Sequence, residues 1–262
     1  MDELEAGEVP SGPWHPGRST VVITFDDGYS NNLEAASMLE AAGLPWAVFV
    51  STGAIGTGVP IWTNTLAMLL LHGRPRSGTV DLAGKCWPLA SREDRLACFN
   101  SVRGGFKTLA RATRLAAMDD LAGQFDDGEV ERLVVDIPSM SMLSWEDLDE
   151  MSRSGVTVGS HGVHHELHNP AQPDDVLRDE LKGSRDDIVR RLQVRCTTLA
   201  YPNGDYTSRS IELADEIGYR TAFTTEDGLA TPDRRMLALP RISAPGTESG
   251  FIRALLAGTA AR

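Results

Sequence analysis

Apolar and polar positions along the chain switch between two periods, and the switches mark the elements. Residues 21–25 (VVITF) form a short apolar run that stops at Asp26-Asp27-Gly28, the pattern of a buried strand running into a loop. Residues 31–42 carry apolar side chains at helical spacing and end at Gly43. A second apolar run, PWAVFVS, follows at 45–51. Strand, helix and strand so close together predict a right-handed βαβ unit.

The same alternation returns after Met142. Ser144-Trp145-Glu146-Asp147 has the form of a capping box and predicts a helix to about Ser154. A strand over 156–160 then leads into a histidine cluster, and a long helix is expected over 174–192. A strand over 197–201 ends in Pro202-Asn203-Gly204, and a helix over 208–217 is closed by Gly218. Two last strands are expected over 219–225 and 237–242. Repeated strand–helix alternation predicts an α/β fold with a mainly parallel sheet, either open or closed as a barrel.

Between about 54 and 141 the alternation stops, and helical patches such as 63–71 and 92–121 dominate. Both flanks belong to one α/β pattern, so this stretch reads as a mostly helical insertion in a single domain over 19–262. Residues 1–18 are acidic, contain Pro and Gly, and lack an apolar core; they read as a flexible N-terminal segment without a secretory signal. The apolar run 66–71 is too short to cross a bilayer. Cytoplasmic location is therefore the expectation.

Composition changes this picture only by exclusion. With 25 Lys and Arg against 37 Asp and Glu, the net charge of −12 argues against a nucleic-acid partner. The three cysteines, Cys86, Cys98 and Cys196, are far apart and form no CxxC pair, so neither a disulfide framework nor a thiolate zinc site is indicated. Nothing in the sequence fixes an oligomeric state.

The chemistry lies in where the polar residues fall. Sites in parallel α/β folds form at the C-terminal ends of the strands. Three such ends carry Asp26-Asp27, the cluster Ser160-His161-Gly162-Val163-His164-His165, and Pro202-Asn203-Gly204-Asp205. Two imidazoles and one carboxylate leave coordination positions open for water and substrate, the arrangement of a catalytic metal site. Adjacent carboxylates stay ionised most readily beside a cation, so one can bind a metal while the other accepts a proton. His161 and His165 share i,i+4 spacing, but so do His164 and His168, and spacing alone does not choose between the pairs. A second Asp-Asp-Gly, at 126–128, follows a helical pattern and reads as a surface turn.

Thr24-Phe25-Asp26-Asp27-Gly28 after a strand, and His161-x-x-x-His165 after Gly159-Ser160, together resemble the polysaccharide deacetylase family, or NodB-homology domain. Ala200-Tyr201-Pro202-Asn203-Gly204-Asp205-Tyr206 resembles a variant of its third motif. The resemblance covers about 19–52 and 142–243 and omits the insertion. It implies a deformed (β/α) barrel that hydrolyses an N-acetyl amide on an amino sugar. Asp26 would be the general base, and Asp27, His161 and His165 would hold a divalent metal, zinc first, with cobalt or nickel also suitable. Asn203 would offer a backbone N–H to the oxyanion, and Tyr201, Pro202 and Asn203 would line the sugar pocket. In the insertion, Trp62 is the candidate for stacking on the sugar.

Three departures from the family pattern stand out. Gly162 occupies the place of a Ser or Thr that braces the histidine loop, and Thr197 the place of an Arg that pairs with the base. Arg241, on the last predicted strand, is the candidate substitute. The late His that would act as general acid is missing, since no His follows His168. His164, His168, Asp205 or water remain as donors. Two other functions stay open: a deformylase or other non-peptide amide hydrolase, and a metal-retaining sugar-binding protein without turnover.

Overall fold

A computed structural model of the chain describes residues 21–230 and 235–260, with side chains up to 254. The flexible segment expected over 1–18 lies outside the described residues. Six parallel strands make the main sheet: β1 (Ile23–Phe25), β2 (Trp46–Val50), β5 (Thr157–Ser160), β6 (Thr198–Ala200), β7 (Thr221–Asp227) and β8 (Leu239–Arg241), neighbours in that order. Helices α1 (Asn32–Ala41), α6 (Trp145–Arg153), α7 (Asp174–Leu192) and α8 (Ser208–Ile217) connect them, and α9 (Glu248–Ala260) follows β8. The sheet curls into a half-barrel whose first and last strands are joined by side chains: Arg241 of β8 donates to Thr24 Oγ1 of β1 at 3.2 Å. This is the deformed (β/α) barrel that the family resemblance implies.

Each element follows from its composition. All five residues of β2 (WAVFV) are buried, which is why the strand reads as an unbroken apolar run instead of an alternating one. The capping box of α6 forms: Asp147 N–H donates to Ser144 Oγ at 3.0 Å, and Ser144 N–H to Asp147 Oδ2 at 2.8 Å. Such a cap contributes about 1 kcal/mol. Val48, Val50, Leu148, Leu181, Leu199 and Leu213 belong to the barrel core. Burying a side chain of that size stabilises by roughly 1.5–3 kcal/mol.

The insertion holds more than helices. It comprises α2 (Trp62–His72), a β-hairpin of β3 (Thr79–Leu82) and β4 (Lys85–Pro88), then α3 (Arg92–Thr108), α4 (Arg111–Ala122) and α5 (Glu129–Asp136). The hairpin escapes the pattern because its second strand, KCWP, is largely exposed and lacks alternation. The helical stretch expected over 92–121 breaks at Leu109 and Ala110, both in extended conformation (ψ 144° and 149°). Leu66, Leu69, Val102, Leu121 and Phe125 form a second apolar cluster, separate from the barrel core. No helix among the described residues is long and apolar enough to cross a membrane.

Candidate metal centre

The strand ends bring Asp26, Asp27, His161 and His165 together. Asp27 adopts a left-handed backbone (φ 74°), as does Gly28 (φ 93°). This sharp turn is pinned to its surroundings: Ser51 N–H donates to Asp27 O at 3.3 Å and Leu143 N–H to Gly28 O at 2.9 Å. A Cβ on residue 28 would come within 2.9 Å of Ile55 Cδ1, so both the torsion and the packing require glycine. The turn aims the two adjacent carboxylates in different directions.

Asp26 points toward β8. Arg241 grips it with both terminal nitrogens, Nη1 to Oδ1 at 2.8 Å and Nη2 to Oδ2 at 2.6 Å. Arg241 is itself fixed, because its Nε donates to Thr224 O at 2.9 Å. A planar guanidinium matches a carboxylate in two-point geometry, which sets the orientation of Asp26 as well as holding its charge.

Asp27 points the other way. Its Oδ1 lies 3.2 Å from His161 Nε2 and 3.4 Å from His165 Nε2. The three ligand-type atoms all fall within 4.8 Å of one another. His161 Nδ1 donates to Ala200 O at 2.7 Å, which fixes the tautomer and leaves Nε2 as a lone pair facing the carboxylate. Two lone pairs at that distance repel unless a cation or proton lies between them. The electrostatics express the same demand. Burial lowers the His161 pKa, but the Asp27 hydrogen bond and the charges of Asp26 and Asp27 outweigh it, and the net shift is upward. Burial, reinforced by a charged His161, pushes His165 down to about 3. Asp27 is lowered despite burial, because His161 protonated at Nε2 donates to it and His161, His165 and Arg241 surround it. The cluster therefore stabilises positive charge between Asp27 and the two rings, and these residues fit a divalent ion.

The histidine turn is braced by residues outside the motifs. Glu180 of α7 accepts from Val163 N–H at 2.9 Å, His164 N–H at 2.8 Å and His164 Nδ1 at 2.7 Å. On the other side, Trp62 Nε1 donates to His165 O at 2.9 Å, with the Arg114 guanidinium 4.5 Å from its ring centroid. Arg114 also forms a buried ion pair with Glu166, which accepts from Gln172 Nε2 at 3.1 Å as well. Arg111 lies 3.6 Å from Glu180 Oε1. Thus α2 and α4 of the insertion contact the turn directly. Tyr29, next to the Asp turn, accepts from Asn64 of α2, and burial with the nearby Asp27 charge raises its pKa.

The remaining predicted residues divide. Asn203 sits in a left-handed turn (φ 58°); Lys107 Nζ of α3 donates to its Oδ1 at 2.6 Å, and its Nδ2 donates to Asp205 Oδ2 at 2.8 Å. Pro202, buried, begins that turn. The expectation that the Tyr201 ring lines a sugar pocket needs correction. Tyr201 is fully buried, stacked on Tyr206 at 5.5 Å, with its hydroxyl donating to Leu237 O at 3.0 Å. Its ring is core, and it shapes the site only through the backbone that follows. Trp62 has its N–H and one face committed to His165 and Arg114. His168 is buried, and burial lowers its pKa to about 4. The second Asp-Asp-Gly is a surface turn as expected: Asp126 and Asp127 are exposed and pair with Arg76.

Glu180, Glu166, Arg111, Arg114 and Lys107 were not singled out by sequence reasoning. One signal was available for Glu180: it lies on the same face of α7 as the buried Leu177, Leu181, Ser184 and Ile188. A charge on an apolar stripe asks for a buried partner.

Comparison with known proteins agrees with the fold. Residues 101–222 match the polysaccharide deacetylase family model. That span contains His161, His165 and Asn203, begins inside the insertion, and leaves out Asp26, Asp27, Trp62 and Arg241. The Bacillus subtilis (strain 168) protein YxkH, a candidate polysaccharide deacetylase, is 30% identical over 108 residues, 41% of this chain and 38% of the relative. The chain thus aligns with well under half the length of this curated relative. The Streptococcus pyogenes deacetylase PplD, solved with acetate, superposes with a TM-score of 0.52 at 18% identity, over 87% of this chain and 65% of that one. IcaB from Ammonifex degensii gives 0.51 at 17% identity, over 90% and 72%. Over residues 101–222 the chain is similar to the polysaccharide deacetylase family, and its parallel half-barrel is the fold of the solved deacetylases it superposes on.

Proposed function

We propose that the chain is a metal-dependent hydrolase that removes an N-acetyl group from an amino sugar. The observation that carries this reading is the division of labour between neighbouring carboxylates: Asp27 converges with His161 and His165, while Arg241 holds Asp26 apart. In this reading Asp27, His161 and His165 hold the divalent ion, zinc in the first place. Bound there, such an ion supplies Lewis-acid polarisation of the amide carbonyl and lowers the pKa of water.

The chain's own groups do the rest. Asp26 accepts the proton of the attacking water, and Arg241 keeps its carboxylate in one orientation while that happens. His161, locked by Ala200 O, and His165, locked by Trp62 and a left-handed backbone (φ 56°), keep their Nε2 atoms on a common point. The turn at Pro202 and Asn203, anchored by Lys107, offers the backbone N–H of Asn203 to the developing oxyanion. Protonation of the leaving amine falls to a solvent-accessible group. His168 is buried, which leaves His164, Asp205 and water.

Release of acetate from a panel of N-acetylhexosamine compounds, after loading with zinc, cobalt or nickel, tests the proposal. Asp27→Ala is expected to abolish metal binding; Asp26→Asn is expected to keep the metal and lose turnover by a factor on the order of 10²–10⁴. Activity that survives Asp26→Asn refutes the assigned base. Formate release from formyl sugars in place of acetate would redirect the substrate class, and saturable sugar binding with no acetate at any metal loading would replace catalysis with binding.

A further inference from the structure

We infer that the buried carboxylate of Glu180 is the positioning group that holds the His161–His165 turn in its ligating shape, an inference that rests on the metal role proposed for that turn. Glu180 is 1% exposed, and its ion pair with Arg111 Nη1 is long, at 3.6 Å. Its closer partners all belong to the turn. One oxygen accepts the consecutive Val163 and His164 amides at 2.9 and 2.8 Å, and the other accepts His164 Nδ1 at 2.7 Å. A buried carboxylate is costly unless hydrogen-bonded throughout, so α7 and the turn are bound to each other. Two consecutive amides pointing at one oxygen fix the peptide planes between the two proposed ligands. The His161 and His165 rings are thereby set at a centroid separation of 5.0 Å.

Gly162 completes the arrangement. Its φ is +78°, and a Cβ there would lie 2.9 Å from Glu180 Oε2. The carboxylate occupies the space that a side chain at 162 would need. A glycine in the middle of the histidine turn and a glutamate on the apolar face of α7 are therefore one feature. Each is anomalous alone, and each accounts for the other.

The test uses Co(II) as the probe on metal-free full-length protein. Glu180→Met keeps volume and helix but removes every acceptor, while Glu180→Gln keeps a weaker, uncharged acceptor. Three quantities are measured: Co(II) affinity by calorimetry, the Co(II) visible spectrum, and amide hydrogen exchange of Val163 and His164 without metal. Glu180→Met is expected to weaken Co(II) binding about 10–100-fold, change the spectrum and speed exchange at both amides; Glu180→Gln should fall between it and wild type. Ile188→Ala, which truncates a buried side chain on the same helix face, should lower the melting temperature and leave Co(II) affinity unchanged. Either Glu180 variant, folded, with wild-type Co(II) affinity and wild-type exchange at both amides overturns the inference. Wild-type protein that binds no Co(II) refutes the metal role itself, so the two failures are distinguishable.

Discussion

Replacing Arg241 with alanine removes four hydrogen bonds at once: two to Asp26, one to Thr24 Oγ1 and one to Thr224 O. The side chains of Arg241 and Asp26 are 18% and 27% exposed, so water recovers part of what is lost. Charge-assisted bonds contribute roughly 1.5–3 kcal/mol when buried. Discounted for solvent, the substitution should cost about 2 kcal/mol of stability. For a domain of this size that is a fall in Tm of roughly 4–8 °C. The kinetic effect should be larger, because the base remains but no longer has one orientation. General-base catalysis contributes about 10²–10⁴-fold, and loosening the base should forfeit part of it, roughly 30–300-fold in kcat. Arg241→Lys keeps the charge but offers a single point of contact, so it should recover stability better than rate. Calorimetric Co(II) titration alongside acetate release separates base positioning from metal loss, since Arg241 does not touch the three ligands. A folded Arg241→Ala variant with kcat within about threefold of wild type would refute the base assignment and the reasoning behind it.

Trp62→Phe keeps an aromatic face and deletes the N–H that holds His165 O; a positioning role predicts several-fold weaker metal affinity with little change in KM, whereas a sugar platform predicts the reverse. Titration of stability in metal-free protein should reveal His168. Its pKa falls from 6.5 in the unfolded chain to about 4 in the fold, so its stabilising contribution is complete above pH 6.5 and is lost as pH falls toward 4. The loss amounts to on the order of 3 kcal/mol, and His168→Phe should flatten that part of the urea-denaturation profile. An unchanged profile counts against a neutral, buried His168. Lys107→Ala should lower kcat more than it raises KM, measured by steady-state acetate release, because it frees the Asn203 turn that faces the oxyanion without touching the metal ligands.

What could be read in the sequence was whatever a strand end announces. Short apolar runs that stop at Asp-Asp-Gly, at a histidine cluster and at Pro-Asn-Gly marked where a site must form, and the family resemblance chose Asp27, His161 and His165 within it. Arg241 was reachable only through the family resemblance, since Thr197 stands where an Arg is expected and the last predicted strand carries one. Contacts made by helices across the fold were not legible. Glu180 is far in sequence from the amides it holds, and only its place on the apolar stripe of α7 betrayed it. Tyr201 misled in the opposite direction: its motif position suggested a cleft residue, but a ring that can stack on Tyr206 and bond Leu237 O is more stable buried. The β3–β4 hairpin was hidden because an exposed strand has no apolar period to display.

The departures from the family motifs have one physical explanation in common. A site of this kind needs a cation on its base and a brace on its histidine turn, but neither function depends on where in the chain the side chain originates. Arg241 comes from the opposite edge of the half-barrel, and in holding Asp26 it also joins β8 to β1, where no strand hydrogen bonds do so among the described residues. Glu180 comes from a helix, and the space it fills is the space Gly162 vacates. The insertion adds its own hold through Trp62 and the buried Arg114–Glu166 pair. Each substitute therefore links the site to a different part of the scaffold. Single substitutions at Arg241, Glu180 and Trp62 should then be distinguishable by what they lose: rate for the first, metal affinity and amide protection for the second, and metal affinity alone for the third. A variant set in which all three lost the same property in the same proportion would mean that they act only by stabilising the fold.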